Sequence, residues 1–157
     1  PNNENLAHQD IATNYNNIGL ILQNKRNPED LNRALEYHEL SLNMRRKLFD
    51  PENKGKPHPD IATSYNCIGG IYLTLKDFKT ALENFSKRLA MRKFIYKDHE
   101  TVPNPDIATS YNNLGLAYFG LRDYNEALKY YNKSLEIRIK LYGKNHLNVA
   151  RVKGTLN

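Results

Sequence analysis

The chain has 157 residues with 39% hydrophobic content, enough apolar side chain for the core of one domain. No apolar run approaches the roughly 18 residues that cross a bilayer, and no basic start with an apolar stretch marks a leader, so membrane insertion is not expected. The formal charge of +6 favours acidic partners. However, "MRRK" (44–47), "SKRLAMRK" (86–93) and "IRIK" (137–140) fall near expected helix ends, where cations offset the helix dipole, and no RNA- or DNA-binding motif accompanies them; nucleic acid is not an expected partner.

The opening "PNNENLAHQD" lacks an initiator methionine and reads as part of a longer chain. After it come three near-copies of one phrase, "DIATNYNNIG" at Asp10–Gly19, "DIATSYNCIG" at Asp60–Gly69 and "DIATSYNNLG" at Asp106–Gly115, spaced by 50 and 46 residues. A weaker fourth copy, "HLNVA" at His146–Ala150, places its Asn148 42 residues after Asp106 of the third. Periods of this size suit a helical hairpin.

In chain order, the first phrase lies in a helix, and Asn27-Pro28-Glu29 starts a second. From the phrase's glycine to the next "AL" is 15 residues in this copy (Gly19 to Ala34) but 12 in the others (Gly69 to Ala81, Gly115 to Ala127), so the second helix here gains about one turn. The linkers "FDPENKGKPHPD" and "YKDHETVPNPD" carry turn residues. After them, His58-Pro59-Asp60 and Asn104-Pro105-Asp106 open helices that should run to about Leu75 and Leu121. Partner helices begin at Asp77 and Asp123, the latter with Glu126 three residues on as a capping box. In the third copy Ile107, Tyr111, Leu114, Tyr118 and Leu121, then Tyr124, Leu128, Tyr131, Leu135 and Leu141, recur at largely helical steps. Short connections make each pair antiparallel. A mid-helix glycine costs about 0.5–1 kcal/mol relative to alanine, and close packing of Gly19, Gly69 and Gly115 against Ala34, Ala81 and Ala127 supplies a reason for keeping it. The expectation is one all-α domain over 1–157, with repeats at about 8–50, 58–97 and 104–143 and a partial fourth at 146–157.

The spacing of Tyr111, Leu114, Gly115, Tyr118, Ala127 and Tyr131 resembles the tetratricopeptide repeat. The wording "HPDIATSYNNLG…DYNEALKYYNKSLEIRIKLYG" and the longer period, roughly 42 residues, look like the variant in kinesin light chains. The resemblance implies a right-handed superhelical solenoid of antiparallel helix pairs, with first helices lining a concave groove and equivalent positions aligned in rows. It also implies a protein or peptide partner. By the same resemblance Asn17 and Asn113, with Asn16, Asn66 and Asn112, contact a bound peptide; Leu20, Gly70, Leu116 and Phe119 share the groove. An amide carries both donor and acceptor, which suits it to a peptide backbone of any sequence. The same amides serve equally well to bridge neighbouring helices and hold the repeats, and both readings stand at this point. Members that grip acidic chaperone tails use Lys and Arg where this chain has Thr13, Thr63 and Thr109, so weak or no binding to such tails is expected.

Three residues depart from the pattern. His38 stands at the aromatic position of Phe85 and Tyr131 and reads as a satisfied core histidine. Arg88 stands where Ser41 and Ser134 sit and puts the packing of the second and third repeats in doubt. Cys67 interrupts the amide row as a small buried residue or a pocket. As the single cysteine it has no internal disulfide partner, in keeping with a reducing, cytoplasmic location. No phosphate loop, nucleophile turn or metal-ligand spacing occurs, and of the five histidines His8, His58 and His146 fall at helix starts, where capping explains them. Neither enzyme activity nor a cofactor is expected. The function this implies is binding of a partner's peptide segment in the groove. The alternative is an assembly unit that stacks end to end through an open C-terminal face, on further repeats or on another chain.

Overall fold

The computed structural model describes residues 3–97 and 101–144, and within them regular structure is helical throughout. Six helices follow in order: α1 (Asn3–Lys25), α2 (Pro28–Phe49), α3 (Pro59–Thr74), α4 (Phe78–Ile95), α5 (Pro105–Gly120) and α6 (Tyr124–Tyr142). The weak fourth copy at His146–Ala150 and the segment 146–157 lie outside the described residues.

Helix starts follow local chemistry. Asn27 accepts the Asp30 N–H at 2.8 Å, and Asn104 accepts those of Asp106 and Ile107 at 2.8 and 3.2 Å. At α3 the cap is a histidine: His58 Nδ1 accepts the Asp60 N–H at 3.2 Å while the ring stacks on Phe49, 3.6 Å between centroids. His8 is no cap, because it lies inside α1. The first copy has Gln9 where the others have Pro59 and Pro105. Without the proline that bars the preceding residue from helical geometry, α1 continues back to Asn3. The capping box at α6 is half made. Asp123 accepts the Glu126 N–H at 3.1 Å, but the Glu126 carboxylate turns to Lys129 Nζ at 2.9 Å, and the Asp123 N–H goes to the Tyr118 carbonyl. Within each hairpin the turn is made by one residue in left-handed geometry, Arg26, Lys76 or Arg122, with φ of 58°, 63° and 63°.

Helices pack in sequence, α1 on α2, α2 on α3 and so on to α6, and α3 also touches α1 and α5. First helices therefore adjoin one another while second helices splay outward, which makes α1, α3 and α5 the inner row of a curved stack. Gly19, Gly69 and Gly115 are packing sites, yet their nearest neighbours are not the alanines. A Cβ on each would stand 2.7 Å from the ring of His38, Phe85 or Tyr131, four residues beyond Ala34, Ala81 and Ala127. The alanines are themselves buried. The glycines leave room for a ring laid flat on the first helix.

Arg88, which put the packing of the second and third repeats in doubt, makes hydrogen bonds across that junction. Its Nη1 donates to Ser110 Oγ at 2.5 Å and to the Asp106 carbonyl at 3.3 Å, and the Ser110 hydroxyl donates to that same carbonyl. Arg45 does likewise one repeat earlier, donating to Ser64 Oγ at 2.8 Å and the Asp60 carbonyl at 3.0 Å. Arg45 aligns with Arg92, not Arg88, so the same contact is made from one turn earlier in α4. This frees Arg92 to pair with the Asp106 carboxylate at 3.2 Å, which the Tyr96 hydroxyl also reaches at 3.0 Å. Burial, with Arg92 beside it, pulls the Arg88 guanidinium down to about 10, still charged at neutral pH. His38 is fully buried, as expected of a core residue, but it is not satisfied: neither ring nitrogen has a hydrogen-bond partner.

Candidate binding groove

The inner row is built from the repeated phrase itself. Position by position, the "YNN" or, in the second repeat, "YNC" segment of each first helix faces its counterpart in the next repeat with a one-residue stagger. Asn113 Nδ2 donates to Asn66 Oδ1 at 2.8 Å, joining the second Asn position of repeat three to the first Asn position of repeat two. One repeat earlier the same rung is Cys67 Sγ to Asn16 Oδ1 at 3.7 Å. Burial pushes the Cys67 thiol up, so at neutral pH it is a weak donor rather than a thiolate. Asn16 and Cys67 are buried; Asn66, Asn112 and Asn113 are half-buried; Asn17 is exposed.

The two rungs involve neither Asn17 nor Asn112, and neither has a side-chain hydrogen bond among the described residues. Asn66 and Asn113 are thus committed to each other, while the amides of Asn17 and Asn112 make no side-chain hydrogen bond among the described residues.

Around them the apolar positions divide. Leu20 is 41% exposed and Phe119 is 55% exposed, the latter edge-on to Tyr124 with 5.7 Å between centroids. Leu116 packs against the Ala127 and Tyr131 cluster and is half-buried. Gly70 is half-buried, and a Cβ there would meet Gln23 Nε2 at an ordinary 3.4 Å, so it forms no deep notch. The hydroxyls of Thr13, Thr63 and Thr109 return to the carbonyls of Gln9, Pro59 and Pro105. Sequence reasoning missed a cation here: Arg92 reaches across from α4 to Thr63 Oγ1 at 3.3 Å. Its signal was the arginine shared with Arg45 in the alignment of second helices, obscured by the extra Arg88.

In the first repeat one apolar face of α1 is exposed. Ile11, Ile18 and Ile21 are 40%, 38% and 65% exposed, whereas their equivalents Ile61, Ile68 and Ile71 are at most 4% exposed beneath the preceding hairpin. Among the described residues no group of three or more His, Cys, Asp or Glu is placed to hold a metal, and no helix is long and apolar enough to cross a membrane.

Fold and groove together define a solenoid of stacked helix pairs with a recessed inner face. Residues 106–156 match the family model described as tetratricopeptide repeat. The structure is similar to the N-terminal domain of stress-induced protein-1 (STI-1) from C. elegans, with TM-score 0.61 and 19% identity over 96% of this chain and 98% of that one. It is also similar to BtubC (BKLC) from P. vanneervenii, with TM-score 0.55 and 18% identity over 96% of this chain and 64% of that chain. At these identities the likeness is one of fold. No curated protein matches the sequence. The family match and the fold support a tetratricopeptide-repeat domain, a class that generally mediates protein–protein interaction.

Proposed function

We propose that this domain binds an extended peptide segment of a partner protein along the inner row of α1, α3 and α5, in the manner of the kinesin-light-chain-like variant with its period of roughly 42 residues. The observation that carries the reading is the pairing, on that row, of amides without a side-chain hydrogen bond among the described residues with exposed apolar side chains: Asn17 and Asn112 for the peptide backbone, Leu20 and Phe119 for its side chains. The role is one of binding rather than catalysis, in a reducing, cytoplasmic setting suited to the buried thiol of Cys67. Asn66 and Asn113 hold the ladder in the free domain and, with Asn16, set the register in which the groove is offered.

Selection of a random-peptide display library on the domain tests this, repeated on Asn17→Ala/Phe119→Ala after its melting curve is matched to the parent. Enriched peptides that lose at least tenfold in affinity on the variant support the groove. Peptides indifferent to the change, or no enrichment, refute it.

A second reading, end-to-end stacking, is favoured by the exposed face at Ile11, Ile18 and Ile21. The expected C-terminal face of that reading involves 146–157, outside the described residues. Light scattering distinguishes the two: mass that rises with concentration and falls back in Ile18→Glu supports stacking, and a constant monomer mass excludes self-stacking.

A further inference from the structure

The outer side of the stack carries two clefts that overlap at three aligned positions and differ in charge. Each lies between successive second helices and has a first-helix tyrosine in its floor. The first, about 350 Å³, runs between α2 and α4 with Tyr65 below; its ionisable lining is Glu39, Arg46, Glu83 and Lys87, two acids against two bases. The second, about 230 Å³, runs between α4 and α6 with Tyr111 below and is lined by Lys93, Lys133, Lys140, Glu136, Ile107 and Ile137. Counted from Ala34, Ala81 and Ala127, Arg46 aligns with Lys93 and Lys87 with Lys133, so the bases are kept. Glu39 aligns with Ser86 and Glu83 with Lys129, so both acids are gone.

The loss is not made good nearby. Glu136 is taken by Lys140 at 2.9 Å, and Lys129 by Glu126. Lys93 and Lys133 have no carboxylate within ion-pair distance among the described residues, yet both ammonium groups converge on one ring, 5.6 and 5.5 Å from the Tyr111 centroid. Two like charges beside one ring repel each other, and the ring's quadrupole attracts each cation only weakly at an exposed site. A dianion between them removes the repulsion and adds charge-assisted hydrogen bonds.

We propose that the cleft between α4 and α6 is an anion site for a phosphate monoester group, bridged by Lys93 and Lys133 above Tyr111. A carboxylate answers one of the two charges. A phosphate monoester carries between about 1.5 and 2 negative charges at neutral pH with three acceptor oxygens, which matches two ammonium donors. The site is separate from the inner row and independent of what the groove binds.

The α2/α4 cleft is a built-in control, since Tyr65 sits under a charge-balanced lining. The test follows the ring resonances of Tyr111 and Tyr65 by NMR while inorganic phosphate, O-phosphoserine or acetate is added to the domain at constant ionic strength. Expected are saturable shifts at Tyr111 with either phosphate compound, none at Tyr65, and at least a tenfold weaker response to acetate. Tighter binding of O-phosphoserine supports a phosphorylated side chain as the occupant; tighter binding of inorganic phosphate, a free ion, overturns the assignment to a monoester. In Lys93→Gln/Lys133→Gln the Tyr111 response should weaken at least tenfold, and in Lys93→Arg/Lys133→Arg it should persist. Equal responses of the two tyrosines, no response at Tyr111, or an undiminished response in the Gln variant would overturn the proposal.

Discussion

His38 offers the sharpest test of how the repeats are packed. Its ring lies on Gly19 in the slot that Phe85 and Tyr131 occupy on Gly69 and Gly115, fully buried and with both nitrogens unpartnered. Burial, with the charge of Arg45 adding to it, lowers its pKa from 6.5 to about 4. The sign of the pH dependence follows. Above pH 6.5 the ring is neutral in both folded and unfolded chains and contributes nothing to the slope. As pH falls from there to about 4, the unfolded chain takes up a proton that the folded chain refuses, so stability falls with pH. A shift of that size corresponds to a loss of about 3 kcal/mol at the acid end, at ~1.4 kcal/mol per unit. His38→Phe should remove that loss and, by replacing two unpaired nitrogens with carbon, add about 1–2 kcal/mol at neutral pH. Urea titrations of both proteins between roughly pH 8 and pH 4 measure it, and the difference between them cancels histidines common to both. A difference that stays flat across that range, or a variant less stable at neutral pH, would refute the reasoning.

Three further substitutions read other parts of the packing. Gly69→Ala improves helix propensity, yet its methyl would stand 2.7 Å from Phe85, so a net loss of about 1–3 kcal/mol is expected in chemical denaturation; a gain would mean the ring is free to move. Arg88→Ser restores the residue found at Ser41 and Ser134 but deletes the contacts to Ser110 and the Asp106 carbonyl, and should cost about 1–3 kcal/mol by the same assay. Lys76→Gly relieves a φ of 63° and should raise stability by about 0.5–1 kcal/mol, visible as a higher melting temperature.

Helix boundaries were legible because they are written in local chemistry: a capping side chain, a proline at the first turn and a carboxylate after it act within three or four residues. What lay across helices was harder to read. The glycines pointed to a close approach, but whether an alanine or the ring four residues later fills it depends on the rotation of the second helix. Arg88 looked like a misfit because linear alignment fixes a position on a helix, whereas a guanidinium reaches a full turn in either direction. The Asn row was visible, but its one-residue stagger was not, since that offset comes from how successive hairpins twist against each other. His38 was placed in the core correctly; that it has no partner there depends on neighbours from other elements.

The two junctions of the stack are differently fastened, and this bears on how the molecule responds to force. Between the second and third repeats stand Arg88 on Ser110, Arg92 and Tyr96 on Asp106, and an amide rung at 2.8 Å. Between the first and second stand Arg45 on Ser64 and on the Asp60 carbonyl, the His58 ring stacked on Phe49, and a thiol rung at 3.7 Å. Under tension the two joints load contacts of different kinds: ionic and amide contacts at the second, and a guanidinium, a ring stack and a thiol at the first, which joins the repeat that carries Asn17 and Leu20.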